Sequence, residues 1–154
     1  MEHFQQGMTI AATPAAVYRG LTTLAGLQGW WTRDCDGSAA VGETIHFRFG
    51  QCSKAMRVAK LEPGRAVHWV CTQAHIEAPG VTRQDEWIGT EMVFSMSDAG
   101  EGRTRLQFDH HGLVPAFECY GLCSDGWKHF LASLKQYLET GAGHPYENDR
   151  RVAA

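Results

Sequence analysis

His110 is the residue of this chain best placed to do chemistry. It follows Leu106 and Phe108 at intervals of two, so on a strand its imidazole shares their apolar side while His111 points the other way. A histidine held there could orient the carboxylate or hydroxyl of a ligand, or take a proton near neutral pH. It could equally be a core histidine whose ring nitrogens are satisfied within the protein, as buried polar groups generally are. Glu118 and Tyr120 follow a short way downstream and could act with it as acid and base. Cys119 and Cys123 are spaced i, i+4, and with His110 or His129 they could supply thiolates and an imidazole to a metal. The second close pair of cysteines that normally completes such a set is missing. No metal is therefore expected. No cofactor is expected either, because the chain carries no Gly-rich phosphate loop, no HExxH and no GxSxG.

These residues lie where a strand hands over to a helix. From Ala116 to His144 the chain is free of proline, and Trp127, Phe130, Leu131, Leu134 and Leu138 fall on one helical face. The pattern predicts a helix from about residue 116 to 140, roughly 35 Å long. Upstream, Glu2 to Ala12 reads as a loosely alternating strand. Thr13-Pro14 reads as an N-cap followed by proline at the first helical position, and a weaker helix interrupted by Gly26 and Gly29 runs from Leu24 to Trp30. Period-two alternation then marks Ile45 to Phe49, Lys54 to Glu62, Ala66 to Thr72, Ile88 to Met96 and Leu106 to His110 as strands. Gly37 to Gly42, Gln73 to Gln84 and Ser97 to Gly102 read as turns or loops. Strand, short helices, a run of strands and one long helix, in that order, predict an α+β fold with helices on one face of an antiparallel sheet.

A chain of 154 residues with 44% hydrophobic and 20% charged residues and a formal charge of -3 has the composition of one globular domain that needs no staples. We expect residues 1–142 to form that domain and 143–154 a polar, mobile tail. Lysines and arginines are scattered, without a basic run interleaved with aromatics, so nucleic acid is not an expected partner. No stretch approaches the roughly 18 apolar residues of a membrane span, and the N-terminus has no apolar core of a secretory signal. Five cysteines without CxxC spacing suit a reducing compartment, and the expected location is the cytoplasm.

The order of short motifs resembles one known architecture. Thr13-Pro14-Ala15-Ala16-Val17-Tyr18 after the first strand, the Trp30-Trp31 pair, and Val41-Gly42-Glu43 leading into Phe47-Arg48-Phe49 are followed by Leu61-Glu62-Pro63 and by Gly89-Thr90 before Val93-Phe94. Thr104-Arg105-Leu106, His110-His111-Gly112 and Gly126-Trp127 ahead of Ser133 to Leu138 complete the series. Together they resemble the START-like, or birch-pollen-allergen-like, superfamily (SRPBCC), in its branch named for the activator of heat-shock-protein-90 ATPase. The resemblance spans nearly the whole chain. It implies a helix-grip fold, in which a curved antiparallel sheet wraps a long C-terminal helix and leaves a cavity for apolar or amphipathic small molecules.

One helix cannot fill the concavity of a sheet that wraps it, so the inward positions are the expected cavity wall. They are Phe47, Phe49, Trp69, Met92, Phe94, Phe108 and His110 from the strands, with Tyr120, Cys123 and Trp127 from the helix. Plain core packing is the competing reading at each position. The leading expectation for function is binding of a hydrophobic or amphipathic small molecule by a monomer or homodimer, without catalysis. Two alternatives stay open: a cyclase or dehydratase using His110 as acid or base, and a co-chaperone-like module that stimulates a partner ATPase through its outer surface.

Overall fold

A computed structural model describes residues 3–147. The chain runs β1 (Phe4–Ile10), α1 (Pro14–Thr22), α2 (Leu24–Trp30), β2 (Cys35–Gly37), β3 (Thr44–Phe49), β4 (Cys52–Glu62), β5 (Ala66–His75), β6 (Glu91–Gly100), β7 (Arg103–His111) and α3 (Tyr120–Thr140). The strands form a seven-stranded antiparallel sheet in the order β1-β7-β6-β5-β4-β3-β2. The sheet is curved, and α3 lies across its concave face. This is the α+β helix-grip fold that the motif order implies.

Local chemistry explains the boundaries. Thr13 Oγ1 accepts from the Ala16 amide at 3.2 Å and Thr23 Oγ1 from the Gly26 amide at 3.0 Å, so each short helix starts on its own cap. The glycines that weaken α2 as an isolated helix let it pack closely. A Cβ at Gly26 would meet the Gly20 carbonyl oxygen at 2.7 Å, and one at Gly29 would overlap the Tyr137 ring of α3. β1 ends at Ile10 rather than Ala12, because the Ala11 amide goes to Glu139 and the Ala12 carbonyl accepts from the Thr104 hydroxyl. Its expected first residue, Glu2, lies outside the described residues.

Four further departures from the sequence expectation have physical causes. The long helix begins at Tyr120, not near residue 116, because the Glu118 and Cys119 amides are taken by the Glu86 carboxylate instead of by carbonyls one turn back. β5 continues to His75, three residues into the expected loop. Ala55 pairs with Gln73 and Met56 with Cys71, which leaves Thr72 as an extra residue on β5. That bulge switches the inward set from Val67, Trp69 and Cys71 to Ala74 and Ile76, and so conceals the strand from a period-two reading. β6 begins at Glu91, three residues after Ile88, because residues 84–89 form turns. It runs on to Gly100, where Glu101 and Gly102 both adopt positive φ and close a tight hairpin. A short edge strand, β2, pairs with β3; its three residues carry no readable period.

Candidate functional site

All five tryptophans belong to one aromatic array. Trp31, at the end of α2, stacks on Trp30 at 5.5 Å, on Trp69 of β5 at 5.8 Å and on Trp127 of α3 at 5.1 Å. Trp127 in turn stacks on Trp87, at 6.0 Å and 11° between planes. Phe47, Phe94 and Phe108 fill the sheet side of the array. Offset stacks and edge contacts at these separations are the favoured geometries of aromatic rings.

A buried polar chain fastens the array from behind. Trp127 Nε1 donates to His110 Nδ1 at 3.0 Å, and Thr90 Oγ1 donates to the Trp87 carbonyl at 2.6 Å. With its proton committed there, the Thr90 hydroxyl accepts from His110 Nε2–H at 2.9 Å. His110 is therefore a neutral imidazole protonated on Nε2, with both nitrogens occupied. Burial, followed by the nearby Lys54 charge, pushes its pKa down to about 3. His110 does face inward and His111 outward, as the alternation predicts. Its chemistry is that of a satisfied core histidine.

Beside Trp127 the interior opens into a pocket of about 200 Å³. Trp31, Phe49 at the end of β3, Cys52 and Lys54 at the start of β4, Ile76 just past β5, and Trp87 from the turns form its sheet side. α3 contributes Leu122, Cys123, Gly126, Trp127 and Phe130, and Tyr146 closes the C-terminal side. Tyr146 arrives there because residues 143–147 of the expected tail run back along the chain. Its amide donates to the Trp31 carbonyl at 2.9 Å and its carbonyl accepts from the Arg33 amide at 3.0 Å.

Of the inward residues named from sequence, Phe49, Cys123 and Trp127 line this pocket. Phe47, Trp69, Met92, Phe94, Phe108 and His110 are fully or almost fully buried in the packed layer beyond it. Trp31 closes over Phe47 and Trp69, and Trp127 over Phe108 and His110. Tyr120 is half-buried at the start of α3, outside the lining. Glu118, a candidate acid–base partner of His110, accepts instead from the Thr82 and Arg83 amides and the Thr82 hydroxyl. The Arg83 and Thr82 bonds hold its carboxyl below the ordinary range. Together with Glu86 capping α3, this makes a reciprocal clamp between the start of the helix and the segment that carries Trp87.

Lys54 is the site residue that the sequence reading passed over. It stands in phase with the inward-facing Cys52, Met56 and Val58 of β4, and its half-buried side chain carries the ammonium into the pocket. Nζ lies 4.4 Å from the Phe49 ring centroid and 4.5 Å from that of Trp87. Burial lowers its pKa from the ordinary value. Burial also keeps the neighbouring Cys71 protonated, with a pKa pushed up to about 12. Cys123 accepts from the Trp87 indole N–H at 3.2 Å; Cys119 beside it and burial raise its pKa as well. Cys119, Cys123 and His110 do not converge on a common point, since both His110 nitrogens are engaged elsewhere. Among the described residues one trio, His3, Asp109 and His111, brings potential ligand atoms within 4.8 Å of one another, with His3 already bonded to Asp109 at 2.9 Å.

Comparison with known proteins agrees with this architecture. A family model described as Activator of Hsp90 ATPase homolog 1-like protein matches residues 11–139. The Aha1 dimer from Colwellia psychrerythraea, a solution structure, is 35% identical with a TM-score of 0.75, over 93% of this chain and 100% of that one. A crystal structure of a Mesorhizobium loti protein is 23% identical with a TM-score of 0.69, over 88% of this chain and 96% of its own. One from Staphylococcus saprophyticus is 14% identical, also with a TM-score of 0.69, over 93% and 96%. The last two share the fold alone. No curated protein matches the chain.

Proposed function

The chain belongs to the activator of Hsp90 ATPase homolog 1-like family, and on that premise we propose that it binds a small hydrophobic or amphipathic molecule in the pocket between α3 and the sheet. The observation that carries the reading is the apolar pocket of about 200 Å³ beside Trp127. Its size sets the class of ligand. An engineered apolar cavity of about 150 Å³ accepts benzene, whereas drug-sized ligands occupy roughly 300–1,000 Å³. A single ring or a short branched chain fits; a lipid does not. The occupied nitrogens of His110 and the engaged carboxylate of Glu118 weigh against the cyclase or dehydratase alternative.

Gly126 supplies the test. A Cβ at this position would meet nothing within 4 Å, and the residue lines the pocket. Gly126→Leu should therefore fill the pocket without a clash, and replacing a mid-helix glycine favours the helix by up to about 1 kcal/mol. An environment-sensitive apolar dye should bind the native protein and be expelled from Gly126→Leu, while the unfolding midpoint holds or rises. Equal dye binding by both proteins would remove the pocket from consideration. Native mass spectrometry of freshly purified protein would show a retained molecule and the oligomer together. The homodimer is the favoured assembly, because the Colwellia relative is described as a dimer. A cytoplasmic location accords with five free cysteines.

A second reading, stimulation of a partner ATPase, is favoured by the family description and by the same relative. ATP hydrolysis by a bacterial Hsp90 with and without this chain distinguishes it. A rise that survives in Gly126→Leu would place that activity outside the pocket.

A further inference from the structure

Lys54 brings an ammonium to an apolar pocket in which no described residue pairs with it. Lysines are almost never fully buried unless paired, and even a half-buried ammonium has three N–H donors to satisfy. Among the described residues no hydrogen bond or ion pair reaches Lys54 Nζ. The Phe49 and Trp87 faces at 4.4 and 4.5 Å stabilise the positive charge but leave its donors unused. Every other residue of the lining is uncharged. The lining thiols are engaged: Cys52 donates to the Glu77 carbonyl at 3.6 Å, and Cys123 accepts from Trp87. His110 is neutral and lies behind Trp127. Among the described residues the pocket thus holds one amine, which burial makes easier to deprotonate and an anion beside it would hold in the charged form, walls of low polarity that strengthen that attraction, and no negative group.

We propose, building on the pocket reading above, that the pocket selects small monocarboxylic acids, the carboxylate pairing with Lys54 and a compact apolar body lying against Trp31, Trp127 and Leu122. The volume limits that body to roughly the size of one aromatic ring with a short substituent. A single ammonium with no second cation among the described lining residues suits a carboxylate better than a phosphate, which calls for several donors. Cationic ligands are excluded by repulsion. Neutral isosteres lose the ion pair and leave the ammonium unpaired.

The test compares probes of matched shape on the wild-type protein by isothermal calorimetry at pH 7 and low salt: benzoate against benzyl alcohol, and phenylacetate against 2-phenylethanol. Each acid should bind at least tenfold more tightly than its alcohol. In Lys54→Met, which keeps the length and removes the charge, that preference should disappear while the alcohols bind as well or better. Gly126→Leu should bind neither kind. Equal affinity for acid and alcohol on the wild type would overturn anion selection and leave the apolar pocket standing. Acid binding undiminished in Gly126→Leu would move the anion to another surface and overturn the assignment. If neither kind of probe bound the wild type, the pocket reading would fall, and this one with it. The wild-type comparison decides the question even if Lys54→Met does not fold.

Discussion

At the scale of single residues, the most informative result is that His110 is fully committed. Its native pKa of about 3 lies below the 6.5 of an unperturbed histidine. Between those values the unfolded chain binds a proton that the native state refuses. Stability from this group is therefore complete above pH 6.5 and is lost as the pH falls toward 3, by up to about 1.4 kcal/mol per pH unit. His110→Gln keeps one donor and one acceptor but does not titrate. Urea unfolding at pH 7, 6 and 5 should show the wild type losing its advantage over the variant as the pH drops. A constant gap would mean that the native imidazole takes up its proton as readily as the unfolded one. The inward direction of His110 was legible, because β7 keeps an unbroken period of two. The phase of Lys54 was equally legible, in step with Met56 and Val58, but a lysine at a strand end reads as solvated unless its phase is taken more seriously than its charge.

At the scale of elements, α3 is fixed to the sheet by Trp127 and to the segment before β6 by two carboxylates. Trp127→Ala should cost about 3–5 kcal/mol in chemical denaturation, since it removes the centre of the aromatic array and leaves His110 Nδ1 without its donor. A loss below about 1 kcal/mol would contradict the burial of that face. Glu118→Ala should release the Thr82 and Arg83 amides, detected as faster hydrogen exchange confined to that segment with the sheet unaffected. Unchanged exchange there would mean that the Glu86 cap alone holds it. The helix itself was legible from its apolar stripe. Its start was not, because the Glu118 and Cys119 amides are satisfied by a side chain more than thirty residues earlier. Trp87 was illegible for a related reason: a residue placed by turns has no period. Alternation also shows which residues point inward without showing whether they meet another side chain or open space. That distinction separates Phe49 at the pocket wall from Phe47 beneath Trp31.

At the scale of the whole molecule, each consecutive hairpin from β2 to β7 pairs with its neighbour in sequence, so most of the sheet order follows from local turns. The pairing of β1 with β7 and the return of Tyr146 to Trp31 and Arg33 are long-range and could be expected only from the family resemblance or not at all. The same long-range closure brings tryptophans 30, 31, 69, 87 and 127, scattered over nearly a hundred positions, into mutual contact. Indoles this close share excitation, so light absorbed by any of them migrates through the set before it is emitted. Trp31, Trp87 and Trp127 also border the pocket. A quencher seated there should dim the emission of all five together, which makes the unlabelled protein its own optical titration device.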